Sequence, residues 1–204
     1  MILIRHGSGV YHEKYSIADV LTIIKINPKI SMLIMYYSAA FGIVLTIFPA
    51  YLKDNAINEF FIGVLFFIFG LSRLLTLPFT HKFGMHERTS ILVATQAIAF
   101  AMLIAYLFTT LSSFSLSLML FGFAFSLYFP ITLSLITKQV SGKMIGISVG
   151  AYETIFGIGW AIGPTISGVA ADAFGSSIPY ISMFAIGVIL PVLILSKRKG
   201  RTEL

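Results

Sequence analysis

Glu153 and Arg73 are the charged side chains set deepest inside the long apolar stretches of this 204-residue sequence. A carboxylate buried in an apolar segment is costly unless it is paired, hydrated or protonated, so it marks a proton or solute pathway by default. Glu153 lies about ten residues, or roughly 14 Å, from the nearer end of its run at 1.5 Å per residue. It is a candidate proton carrier; the alternative is a structural hydrogen bond to a neighbouring helix. Arg73 has two outlets. It either reaches back along its own stem to the headgroup layer or pairs with Glu153, the acidic residue available inside a span. Hydroxyls and rings supply the remaining chemistry: Tyr36, Tyr37 and Thr46 in the first apolar run, Tyr128 and Thr132 in the fourth. Mixed with Pro49 and Pro130, they suit the lining of a pathway for an amphipathic solute. Serine and threonine in apolar helices also bond their own backbone, so the alternative reading of each hydroxyl is local.

Several other chemistries find no footing. Cysteine is absent, which removes disulfides, thiolate metal sites and thiol nucleophiles. Four histidines stand at positions 6, 12, 81 and 86, and the last two share a loop without a third ligand, so no metal or other cofactor is expected. An intramembrane serine protease needs a G-x-S-G element and a histidine within a span; a head-group transferase needs an aspartate cluster on one helix. Neither pattern occurs, and no enzyme is expected.

The elements that must position these residues follow from hydropathy. Six apolar runs cover about 30–52, 60–79, 90–110, 114–137, 144–171 and 178–195. Each is close to the ~20 residues a helix needs to cross a hydrocarbon core. Without water, a segment must satisfy its own backbone, and the runs lack the in/out alternation of a barrel strand, so they are helices. The mean hydropathy of +0.94 leaves little polar surface for a soluble domain. Of the 14 Lys and Arg residues, 12 fall before the first run, in the loops after the second and fourth, or in the tail. The opposite loops carry Lys53 alone. That bias places both termini in the cytoplasm of a multi-pass cell-membrane protein. The net charge of +6 is then a topology signal and implies no nucleic-acid partner. The first residues are polar and mixed, unlike a cleavable signal peptide. Three sections result: a cytoplasmic amphipathic segment at 1–28, a six-helix bundle at 29–196 and a basic tail at 197–204.

Within the first section, Ser16 and Asp19 have capping-box spacing, and Ile17, Val20, Leu21 and Ile24 form one apolar stripe. Asn27-Pro28 should end this short helix, which is expected to lie on the inner membrane face. The fifth run holds two Gly-x-x-x-Gly pairs, Gly146/Gly150 and Gly159/Gly163, the pattern by which membrane helices approach closely. At about 100° per residue, Gly146, Gly150, Gly157, Pro164 and Gly168 all fall near Glu153, and this face is expected to be buried in protein. Pro164 should kink or loosen the helix.

Gly159-Trp-Ala-Ile-Gly163-Pro164-Thr-Ile-Ser-Gly168 resembles the G-x-x-x-G-P-x-x-x-G run in the fifth and eleventh helices of the major facilitator superfamily of secondary transporters. Leu77-Pro-Phe-Thr-His81-Lys82-Phe-Gly84-Met-His-Glu-Arg88 is similar to that family's G-x-L-a-D-R-x-G-R loop. Lys82 and Gly84 match it and Arg88 stands in for the trailing base; Leu77 and His81 replace the first glycine and the acidic residue. The degenerate loop and the leading amphipathic segment resemble the family's carboxy-terminal half, its helices seven to twelve. The resemblance implies an all-α membrane protein of six transmembrane helices, half of a twelve-helix facilitator-type fold. Runs one and four then correspond to the cavity-lining helices seven and ten. The implied function is transport of a small solute across the lipid bilayer, with proton coupling raised by Glu153. The implied partner is a complementary six-helix chain or a second copy. Alternatives from other classes are an inactive truncated fragment and a membrane assembly protein. No basic cluster within the spans favours anionic sugars or phosphates, and the lining leans toward hydrophobic or weakly polar solutes.

Overall fold

The computed structural model describes residues 17–26, 28–80, 87–138, 140 and 144–195, and every regular element among them is helical. In chain order these are α1 (Ile17–Ile26), α2 (Pro28–Thr46), α3 (Phe48–Asp54), α4 (Glu59–Thr76), α5 (Glu87–Leu107), α6 (Leu111–Thr137), α7 (Ile145–Phe174) and α8 (Ile178–Leu195). A 3-10 turn at Leu77–Phe79 follows α4. Five of these helices are long and apolar enough to cross a membrane, and α8 is a further apolar helix. The architecture is that of a six-helix membrane bundle. The basic tail, the loop with Gly84, and Ser16 and Asn27 lie outside the described residues.

Local chemistry sets the ends. Asn58 caps α4 by accepting the Phe60 amide at 2.8 Å. Thr110 and Ser113 form a reciprocal capping box at the start of α6, satisfying amides that the helix itself leaves open. Gly175 ends α7 at φ 113°, a backbone conformation that side chains disfavour. The first apolar run departs from the expectation of one helix. It divides at Ile47, because Pro49 cannot offer an amide to the Leu45 carbonyl and the axis is loosened there. The hydrogen bonds Ile47 N to Ile43 O (2.9 Å) and Tyr51 N to Ile47 O (3.1 Å) still carry the chain through the bend.

The closest pairings are α2 with α7, α4 with α6, α5 with α6, and α5 with α8. Lipid tails are as apolar as leucine, so these contacts rest on close packing and interhelical hydrogen bonds. Where α2 crosses α7, a methyl added to Gly159 would overlap Ser38 and stand 2.8 Å from the Met35 carbonyl oxygen; one at Gly163 would stand 2.6 Å from that of Ala39. Pro164 does not break α7, which runs continuously past it. Its ring and the Trp160 carbonyl, freed by the missing amide, rest against Gly42, where a methyl would meet that oxygen at 2.5 Å. The α4/α6 crossing follows the same plan. Gly122 lets the Phe69 carbonyl approach, while Ser72 donates to the Met119 carbonyl at 2.7 Å and Ser126 to that of Arg73 at 2.9 Å. Between α5 and α8, Gln96 donates to the Gly187 carbonyl at 3.3 Å. Pro191, four residues on, cannot reach that carbonyl, so the glutamine replaces the missing backbone donor.

Among the open faces of the bundle, those of α4 and α7 carry the two charged residues within spans. On α4 only Leu65 and Phe69 are buried, and Phe60, Phe67, Leu74 and Leu75 point outward. The second of these is on α7. Its buried stripe runs Ser148, Tyr152, Ile155, Gly159, Gly163 and Ser167, about a third of a turn away from Glu153. The expectation that the Glu153 face is buried is therefore corrected for this chain. Glu153, Gly146, Gly150 and Gly157 are exposed, and nothing lies within 4 Å of where a Cβ would stand on any of the three glycines. Gly168 and Pro164 are half-buried. The physical reason is periodicity: α2 takes the stripe led by Gly159 and Gly163, and a helix cannot turn both stripes toward one neighbour.

Candidate functional site

Tyr37 sits at the centre of the membrane-embedded polarity. Its hydroxyl bonds that of Tyr152, joining α2 to α7, and both residues are fully buried. The Tyr37 ring lies 4.7 Å from Tyr128, 5.6 Å from Phe156 and 5.7 Å from Phe125. Tyr128, also fully buried, shares a 3.1 Å hydrogen bond with Thr95 of α5. Each tyrosine thus buries its ring and pairs its one polar atom, as a low-dielectric interior demands.

In front of this hub stands a layer of half-buried rings. Phe41 of α2, Phe129 of α6 and Phe156 of α7 are each partly exposed. Phe41 lies 4.5 Å from Phe125, 6.1 Å from Phe156 and 6.4 Å from Phe69, so the rings form a continuous surface across α2, α4, α6 and α7. Two charged residues stand on helices that carry these rings. On α4 the Arg73 guanidinium lies 4.4 Å from the centroid of Phe125, over the ring face, where the quadrupole attracts a cation. On α7, Glu153 is exposed next to buried Tyr152. The two ion pairs among the described residues, Lys53–Glu59 and Lys138–Glu87, involve neither. Arg73 therefore takes a third course between snorkelling and pairing with Glu153, with an aromatic face as its counterpart.

The residues expected to line a pathway divide into two groups. Tyr37 and Tyr128 come together in the hub. Tyr36 turns the other way and donates to the Met183 carbonyl of α8 at 3.3 Å. Thr46 and Thr132 bond their own helices, at Gly42 O (2.7 Å) and Tyr128 O (2.8 Å). Sequence reasoning passed over Tyr152, Phe125, Phe156 and Thr95. For Tyr152 a signal existed: it lies seven residues before Gly159 and eleven before Gly163, on the same stripe at helical period. The ring stack had none, since in an apolar helix every phenylalanine fits every direction.

A membrane bundle with glycine-crossed helix pairs, half-buried rings and two charged residues within its spans has the build of a polytopic transport protein. The sequence model of the Major Facilitator Superfamily matches residues 30–203, and the chain belongs to that family. Its members carry small solutes across a lipid bilayer, and at 204 residues the chain is about half the size of a full member. Among curated proteins no match was found.

Proposed function

We propose that this chain forms one six-helix half of a proton-coupled secondary transporter, with both termini in the cytoplasm and the cell membrane as its location. A second six-helix body, either a complementary chain or another copy, faces the open sides of α4 and α7. The solute passes along the ring surface of Phe41, Phe129 and Phe156, between Arg73 and Glu153. The observation that carries this reading is that Phe41, Phe129, Phe156 and Glu153 are each at least partly exposed, while the tyrosine hub packed against those rings is sealed. Aromatic walls with two isolated charges suit a hydrophobic or weakly polar solute with one polar group. Neither ion pair among the described residues engages Glu153, and a carboxylate within a span marks a proton or solute pathway by default. Tyr37 and Tyr128 support the ring surface from behind, while Tyr36, Thr46 and Thr132 hold the helices that carry it.

The test uses the absence of cysteine. Thr154→Cys and Gly150→Cys, on the Glu153 face, should react with a membrane-impermeant, water-soluble thiol reagent in sealed vesicles of either orientation. Val188→Cys on the exposed side of α8 should not. Protection of positions 150 and 154 in both orientations, at the level of position 188, would place that face against lipid and end the proposal.

A further inference from the structure

A second open feature lies where α1, α2, α7 and α8 meet. It is an apolar groove of about 440 Å³, walled by Ile24, Met32, Met35, Ile158, Ile186 and Leu190 among others. Its few polar atoms are already engaged. The Tyr36 hydroxyl donates to Met183 O, and the Ser31 hydroxyl donates to Ile24 O at 3.4 Å. What remains is carbon and sulfur, with methionines that adapt to a flexible occupant. The volume falls within the range of about 300–1,000 Å³ that small-molecule sites occupy. On α2 the wall is the stripe Met32, Met35, Tyr36, Ala39, roughly 10 Å long at 1.5 Å per residue. Continued one turn toward the start of the helix, the same stripe reaches Lys29, and Lys25 follows Ile24 in the last turn of α1. Both lysines are exposed, and they are the charged residues between Asp19 and Lys53.

We infer that this groove holds one acyl chain of an anionic phospholipid, with the headgroup phosphate against Lys25 and Lys29. Apolar walls along the groove, with two exposed lysines close in the chain to its Ile24 and Ser31 end, match such a lipid end to end. Juxtamembrane lysines recognise anionic headgroups in this way. Methionine and isoleucine walls alone would take any acyl chain, so the lysines supply the selectivity and the groove supplies the retention. The bound lipid would tie α1 to the bundle from the membrane side, independently of which solute the protein carries.

The test counts lipids on the purified full chain in mild detergent by native mass spectrometry, titrating phosphatidylglycerol or phosphatidylcholine with identical acyl chains. The expected result is one retained phosphatidylglycerol, at concentrations on the order of tenfold below those needed for phosphatidylcholine. Lys25→Gln with Lys29→Gln, at two exposed positions, should bring phosphatidylglycerol down to the level of phosphatidylcholine. Ile186→Trp fills the groove from its exposed rim and should weaken retention of both lipids. Equal binding of the two lipids by the wild-type chain overturns the inference. So does undiminished phosphatidylglycerol binding in the double lysine variant or in Ile186→Trp.

Discussion

Glu153 and Tyr152 are neighbours with opposite fates, and the contrast tests what each does. Tyr152 is sealed against α2 with its hydroxyl on Tyr37, whereas Glu153, about 100° further round the helix, stands outside the bundle. If Glu153 held a neighbouring helix of this chain by a hydrogen bond, replacing it with leucine would lower stability. With the side chain exposed, Glu153→Leu should change unfolding of the isolated chain by no more than about 0.5 kcal/mol, measured by denaturant titration in detergent. Glu153→Gln keeps the shape and one acceptor but cannot titrate. Uptake driven by an imposed pH gradient should therefore lose its dependence on that gradient in the Gln variant. A stability loss of several kcal/mol in the Leu variant, or wild-type gradient dependence in the Gln variant, would return Glu153 to a structural role.

At the scale of elements, α7 carries two glycine sets that only one neighbour distinguishes. Gly159 and Gly163 meet backbone oxygens of α2, and a larger side chain there must push the helices apart. Gly159→Leu and Gly163→Leu should each destabilise the chain by about 1–3 kcal/mol, the usual cost of overpacking. Gly157→Leu, with nothing within 4 Å, should leave the fold of the isolated chain unchanged. The same substitution would obstruct a second body docking on that face, so its effect should emerge in assembly or transport. Thermal unfolding of the three variants side by side separates the sets. Equal stability of all three would mean that the α2/α7 crossing is looser than its geometry indicates.

For the whole molecule, the lateral organisation is asymmetric. Buried glycine crossings hold α2 to α7 and α4 to α6, while most of α4 and one side of α7 are left uncovered. Which side of the membrane each loop occupies is carried by charge. Lys138, just after α6, pairs with Glu87 at the start of α5, so these two helix ends meet. Reporter fusions after Lys143 and after Asp54 should report cytoplasmic and external positions respectively, as the lysine and arginine bias requires. An external signal at Lys143 would invert the bundle.

Composition, hydropathy and charge, read along the chain, determined that it is helical, that it spans a membrane and that Glu153 is out of place in an apolar run. These are properties of single residues against a solvent, and lipid enforces them whatever the neighbours do. The apolar runs anticipated the helices to within a few residues, save where Pro49 divided the first. The family's glycine-rich pattern was legible for the same reason, since close backbone approach excludes side chains. Direction within the bundle was not legible. The stripe of Gly146, Gly150 and Gly157 and the stripe of Gly159 and Gly163 look alike in sequence, and only the position of α2 made one a contact and the other an open face. Likewise Arg73 met Phe125, Tyr37 met Tyr152, and Gln96 met the carbonyl that Pro191 leaves unbonded. Each of those partners lies on another helix. Where every face of a helix is apolar, hydropathy carries no azimuth, and tertiary packing alone selects which residues meet.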